Sequence, residues 1–275
     1  MLWVNLKTMR ESWVLTGCSS KIFVRNMFQE IQNKLTEIER QRNLQIVYAC
    51  ESGSRAWGFP STDSDYDVRF IYAFPKSHYL SIEERKETID IPVDEVLDIS
   101  GWELRKSLRL FYSSNAPLYE WLQSPMVYKQ NDAFLKTLKS FMPEYFSLRK
   151  GMHHYLGMAK NAWDELQGNE VKIKKYFYCL RPVLAARWMV EKQALPPMEF
   201  ALLRTQVNDR NWQNAMDELL ILKAQSTEKT TMQSIPIINA FIKEQMAFCE
   251  RQIPSANKED MDIRPLNSLF RNFIA

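Results

Sequence analysis

The stretch ESGSRAWGFPSTDSDYDVRFIY, residues 51–72, decides the reading of this chain. It opens on a tight Gly53-Ser54 turn and reaches Asp65-Tyr66-Asp67 about ten residues later. Before it, Gln45 to Cys50 (QIVYAC) is a short β-rich run that reads as a buried strand. Tyr66 to Tyr72 reads as a second strand. Alternate side chains of a strand point the same way. Asp65, Asp67 and Arg69 therefore share one face, and Tyr66, Val68, Phe70 and Tyr72 the other. A glycine turn presents backbone N–H groups to phosphate. Two carboxylates on a rigid strand supply the hard oxygens that magnesium takes alongside phosphate oxygens, and they can bridge two ions. Asp63, Asp65 and Asp67 could equally be acids solvating a loop. The Gly-Ser turn at this spacing, with a strand on each side, is what argues for a metal-dependent phosphoryl-transfer site.

Such a site needs a third carboxylate from a neighbouring strand. Asp98 lies between Leu97 and Ile99, so its side chain leaves the apolar face. A buried acid without a cation is costly. Asp98 is thus the candidate third metal ligand and the general base for an attacking hydroxyl. Asp94 has the same strand parity and is the alternative. Glu103 reads more simply as a helix cap. Gly53 and Ser54 offer close backbone approach and a hydroxyl donor to the phosphates. Arg55 either clamps a phosphate or pairs with Glu51. Arg69 either orients the acids or meets the triphosphate.

A second cluster lies between Lys172 and Lys192, with six basic residues and one acid, Glu191. Lys174 and Arg181 are seven residues apart, hence on one helix face, with Tyr178 between them. An aromatic ring beside cationic heads suits a nucleotide, although a solvated helix face produces the same pattern. His153-His154 cannot easily share a metal on a helix; one packs and one is exposed. Tyr176 and Phe177 read as core, and so do Met152 and Met158.

With 275 residues, 45% hydrophobic and 25% charged, the composition is that of a soluble globular chain of one large or two modest domains. The net charge of +3 is too small to establish nucleic-acid binding by itself. The four cysteines are scattered and show no zinc spacing with the three histidines. Buried scattered thiols fit a reducing cytoplasm. No run approaches a membrane span, and residues 1–20 read as a poorly packed lead-in rather than a signal peptide.

Along the chain, Ser19-Ser20 precede a helical stripe (Val24, Met27, Phe28, Ile31, Leu35, Ile38) that ends near Arg42-Asn43. Arg55 to Phe59 reads as a helical turn. Ser81-x-x-Glu84 and Ser100-x-x-Glu103 have the form of capping boxes. Glu87–Ile91 and Glu95–Ile99 read as strands turning at Pro92. The Ser100 box opens a helix striped by Leu104, Leu108 and Phe111, Asn115-Ala-Pro117 stops it and starts a short one, and further helices cover 132–141, 144–166, 170–193, 197–207, 209–223 and 233–252. Pro182 predicts a kink near Cys179 or two abutting helices. No strand is expected beyond about Phe134. The boundary between a mixed domain (20–130) and a helical one (131–275) is placed near residue 130.

The 51–72 stretch closely resembles the nucleotidyltransferases of the DNA polymerase β superfamily grouped as the RNA-repair-pathway type. The resemblance extends through Asp98–Lys106, Ser114–Pro125 and Lys174–Pro182, and covers roughly residues 25 to 205. It implies an α+β fold, with a mixed-sheet catalytic domain followed by a helical domain. By position, Gly53 and Ser54 match the phosphate-binding turn, Asp65 and Asp67 the metal ligands, and Asp98 the third acid. It further implies two magnesium ions, with manganese as the substitute, and transfer of a nucleotidyl group from a nucleoside triphosphate to an acceptor such as an RNA end. Two other readings stay open at this point. One is a non-catalytic or antitoxin-like binding module of the same fold. The other is a small-molecule nucleotidyltransferase of the antibiotic-modifying type.

Overall fold

Apolar and polar side chains alternate along residues 66–70, the first half of the strand at the middle of the main sheet. In the computed structural model, residues 18–83, 86–91, 96–256 and 261–275 are described. The expectations for residues 1–17, for Glu84 of the first capping box, for the Pro92 turn and for Asp94 fall outside these residues.

The chain divides into two compact units, residues 1–44 and 45–275. The first contains helix α1 (Cys18–Arg42). Its apolar positions Met27, Ile31, Leu35 and Ile38 recur at helical spacing. Arg40 and Arg42 lie in the last turn, where cations complement the helix dipole. Asn43 then adopts a left-handed φ of 48° and ends the helix.

The second unit begins with strand β1 (Gln45–Ser52), helix α2 (Gly53–Trp57), strand β2 (Tyr66–Ala73) and the short helix α3 (Lys76–Tyr79). Strands β3 (Thr88–Ile91) and β4 (Leu97–Glu103) follow, then helices α4 (Leu104–Tyr112) and α5 (Ala116–Trp121), and strand β5 (Val127–Gln130). The five strands form one mixed sheet in the order β3-β4-β2-β1-β5. Only β2 and β4 pair in parallel. Residues Ile46 to Glu51 of β1 are all buried, as expected of a strand covered on both faces.

Several expectations need correcting here. Ser100 lies within β4 and donates from its hydroxyl to Asp90, so it caps nothing. Glu103 alone is the N-cap of α4, accepting the Lys106 N–H. Strand β5 was not anticipated: it is a four-residue edge strand with little pattern of its own.

The rest of the unit is mainly helical: α6 (Asp132–Tyr145), α7 (Leu148–Asp164), α8 (Ile173–Lys192), α9 (Phe200–Leu203), α10 (Arg210–Gln225), α11 (Pro236–Arg251) and α12 (Arg264–Ile274). A single 3₁₀ turn over Arg204–Gln206 follows α9. Helix α8 runs unbroken through Pro182. Contrary to expectation, this half also holds a two-stranded sheet. Strand β6 (Glu170–Lys172) pairs antiparallel with β7 (Thr231–Gln233). Helix α12 had no counterpart in the sequence reading.

The helices and the sheet share one core. A continuous buried cluster runs from Val47, Cys50 and Ile71 through Phe111, Leu118 and Tyr155 to Phe177, Leu184, Trp212, Ile242 and Leu266. The change to mainly helical structure near residue 130 therefore falls inside a compact unit. Cys50, Cys179 and Cys249 are buried free thiols within it. Among the described residues, no helix is long and apolar enough to cross a membrane.

Candidate active site

Asp67, Arg69, Ile71 and Ala73 lie at alternate positions of β2. Ile71 and Ala73 enter the shared core, while Asp67 and Arg69 sit where the same face emerges from it. The parallel register matches Asp67 with Asp98 and Arg69 with Ser100. Asp98 is exposed between buried Leu97 and Ile99. Strand parity therefore delivers both acids to the same face at the N-terminal ends of two adjacent strands.

One guanidinium joins them. Arg69 Nη2 lies 3.1 Å from Asp67 Oδ1 and 2.7 Å from Asp98 Oδ2. Its Nη1 donates to the carbonyls of Val68 and Asp98, both at 3.1 Å. Asp65, exposed just ahead of β2, is a third acid whose charge acts on Asp67. Burial pushes the Asp67 carboxyl above the usual carboxylate range; Arg69 opposes this, and Asp98 and Asp65 add to it. Arg69 alone does not offset that much negative charge.

The bend beneath is shaped for Asp67. Gly53 has φ +63°, and a Cβ there would lie 1.9 Å from Asp67 Oδ2. Only glycine meets both demands. Asp67 is further held by its backbone N–H, which donates to Glu51 Oε1 at 2.8 Å. Glu51 is fully buried and accepts a short hydrogen bond from the Tyr128 hydroxyl. Burial raises its carboxyl to about 7, against the pull of Tyr128 and the Asp67 N–H. Glu51 was not singled out from sequence, although an acid ending the apolar run of β1 is a signal of a partnered, buried carboxylate.

The remaining candidates are placed as follows. The Ser54 hydroxyl is turned inward and donates to Ser64 Oγ at 3.1 Å. Arg55 neither pairs with Glu51 nor stands open. It donates to the carbonyls of Ser64 (2.6 Å) and Asp65 (3.0 Å) and stacks over the Tyr66 ring at 3.8 Å. Tyr178 is 37% exposed and packs edge-on against Trp57. Its phenol is pushed up to about 12 by burial and by Glu228, Asp67 and Asp65, which puts it within the field of the acidic site. Lys174 pairs with Glu228 at 2.6 Å.

Arg181 does not join Lys174 at the surface. It is 1% exposed, bonded to Glu120 Oε1 at 2.9 Å and to the Met198 carbonyl at 3.0 Å, and lies over the Trp57 ring at 4.6 Å. Glu120 also accepts from the Tyr155 hydroxyl at 2.7 Å. As expected, His153 is exposed and His154 is half-buried.

Among the described residues, no three His, Cys, Asp or Glu side chains are already gathered as a metal cage. The donor set nonetheless fits a hard divalent cation. Two carboxylates converge on one positive group, and a third adds to an uncompensated negative field.

The sequence profile of the RNA repair pathway DNA polymerase beta family (RlaP) matches residues 27–272. The chain belongs to that family. It is 45% identical over 253 residues to "Uncharacterized protein YcgL" of Bacillus subtilis (strain 168), covering 90% of this chain and 96% of that protein. A crystal structure of a nucleotidyltransferase-like protein from Exiguobacterium sibiricum 255-15 aligns over 81% of this chain and 74% of that one, at 13% identity and a TM-score of 0.29.

Proposed function

We propose that this protein is a metal-dependent nucleotidyltransferase that moves a nucleoside monophosphate from a nucleoside triphosphate to an acceptor hydroxyl, with an RNA end as the acceptor. One observation carries the reading: register-matched Asp67 and Asp98 converge on a single cation, with Asp67 seated on Gly53. The family supports a polymerase-type transfer.

In this reading Asp65, Asp67 and Asp98 hold magnesium, two ions in all, or manganese in its place. Bound there, the metal would neutralise phosphate charge and lower the pKa of the attacking hydroxyl. The Gly53-Ser54 bend gives a phosphate close approach to the backbone. Lys174 supplies charge to the triphosphate, and Tyr178 offers a ring to the base. Arg69 orients the two acids it bridges. Asp98, the more exposed acid, takes the proton as the acceptor oxygen bonds to the α-phosphorus and the bond to pyrophosphate breaks. Positioning and charge neutralisation account for most of the rate.

The test is incubation with labelled nucleoside triphosphates and magnesium, alongside RNA, protein and aminoglycoside acceptors. Label should pass to RNA and drop by about 100-fold or more in Asp67→Asn, the scale of losing a main charge-stabilising group. Label on an aminoglycoside alone would assign the antibiotic-modifying class. Nucleotide binding without transfer to any acceptor would assign a binding module.

A further inference from the structure

Residues 61–64, which lead into Asp65, are tied at each position. Thr62 donates to the Ser226 carbonyl twice, from its N–H at 3.2 Å and its hydroxyl at 3.0 Å. The Asp63 carboxylate accepts the Glu228 N–H at 2.9 and 3.1 Å. Ser61 Oγ donates to Glu228 Oε1 at 3.2 Å. The segment 226–228 that receives these bonds lies more than 160 residues further along the chain.

Two lysines hold Glu228 in turn. Lys174 Nζ is 2.6 Å from Glu228 Oε2, and Lys223 Nζ is 3.3 Å from Oε1. Lys223 is 1% exposed at the end of α10. A buried ammonium needs an acidic partner, so Lys223 fixes Glu228 more firmly than a surface lysine could.

The tie continues towards the bend through buried hydroxyls. Ser61 Oγ and Ser64 Oγ are 2.9 Å apart, and Ser54 Oγ donates to Ser64 Oγ at 3.1 Å. The Ser61 N–H also donates to Ser64 Oγ at 2.8 Å. Arg55 holds the Ser64 and Asp65 carbonyls. The position of Asp65 is thus set between Arg55 and the 226–228 segment.

We propose that Lys223 and Glu228 are positioning residues that hold Asp65 and the Ser54 bend in the geometry needed to load a divalent cation with the triphosphate. The inference rests on reading Asp65 and Asp67 as metal ligands. Neither Lys223 nor Glu228 touches the reacting atoms in this arrangement. Their effect reaches the site through Ser61, Thr62 and Asp63.

The experiment is manganese titration of the full chain with a non-hydrolysable nucleoside triphosphate, following free Mn²⁺ by electron paramagnetic resonance. Glu228→Gln should weaken Mn²⁺ binding by about tenfold, the usual scale for a group that orients a metal ligand. Asp63→Ala, which removes the acceptor of the Glu228 N–H and spares the buried lysine, should weaken it by a smaller but measurable factor. The circular dichroism spectrum should not change, which separates positioning from general loss of structure. Unchanged Mn²⁺ affinity in folded Glu228→Gln overturns the proposal. If that variant does not fold, unchanged affinity in Asp63→Ala overturns it. Wild-type protein that binds no Mn²⁺ with nucleotide, or binds it equally well as Asp67→Asn, overturns the metal-site reading and this proposal with it.

Discussion

Two arginine–carboxylate clusters lie on the same compact unit and differ in almost every physical respect. In the first, Arg69 bridges Asp67 and Asp98, with side chains 19%, 30% and 53% exposed. In the second, Arg181 and Glu120 are 2% and 10% exposed. The open cluster has two acids on one cation and a third acid nearby, so it is short of positive charge. The closed cluster is matched charge for charge and filled in by Tyr155, Trp57 and the Met198 carbonyl. Solvent reaches the first. It is excluded from the second, where a missing partner cannot be replaced. Exposure and charge balance together mark which arginine cluster is suited to a ligand.

The strongest way to break this contrast is Glu120→Ala. It would leave Arg181 buried and unpaired, and the expected loss is about 3–5 kcal/mol, read by urea unfolding. Glu120→Leu with Arg181→Met should recover only part of that loss: replacing both charges is often close to neutral, but the Tyr155 hydroxyl and the Met198 carbonyl lose their partners. A loss below about 1 kcal/mol, the range of exposed pairs, would mean the closed cluster is no staple.

Next comes the pH dependence set by Glu51 beneath the open cluster. Its folded pKa is about 7, above its ordinary 4.5. The folded state therefore binds more protons than the unfolded state between those values. Stability should fall as pH rises from about 4.5 to 7 and then level off, by on the order of 3 kcal/mol at most. Glu51→Gln should flatten that slope in thermal melts recorded across the range. A wild-type curve that rises over the same window would refute the assignment.

The smallest expected stability effect belongs to Gly53→Ala. Left-handed backbone costs a residue with a side chain about 1–2 kcal/mol, and the new Cβ would displace the Asp67 carboxylate. Transfer should fall by about 100-fold, as misplacement of a reacting geometry by an ångström can. Normal transfer in a folded Gly53→Ala protein would show that Asp67 need not rest on the bend.

Much of the open cluster is legible in the sequence, and almost none of the closed one. Asp67 and Arg69 are alternate residues of one strand, where side-chain direction has a period of two, and Asp65 lies just ahead of it. Asp98 was reached by the same parity argument from its apolar neighbours. Arg181 was misplaced because seven-residue spacing aligns it with Lys174 but cannot tell how far the buried face of α8 extends. Its partner Glu120 lies 61 residues earlier, on another helix. The Ser61–Glu228 contact was invisible for the same reason, being made across 167 residues. Of the fold, the central strands and most long helices follow from periodicity. The edge strand β5 and the β6–β7 pair are three or four residues long and depend on partners rather than on pattern.

The uninterrupted core has a consequence for how this family can change. Cys50 and Ile71 belong to one buried cluster with the interior side chains of helices that come after residue 130. Neither half can be traded for a foreign one without leaving bare oily surface on the other. Diversification within such an architecture has to proceed by altering rims and loops around a fixed body, not by shuffling modules.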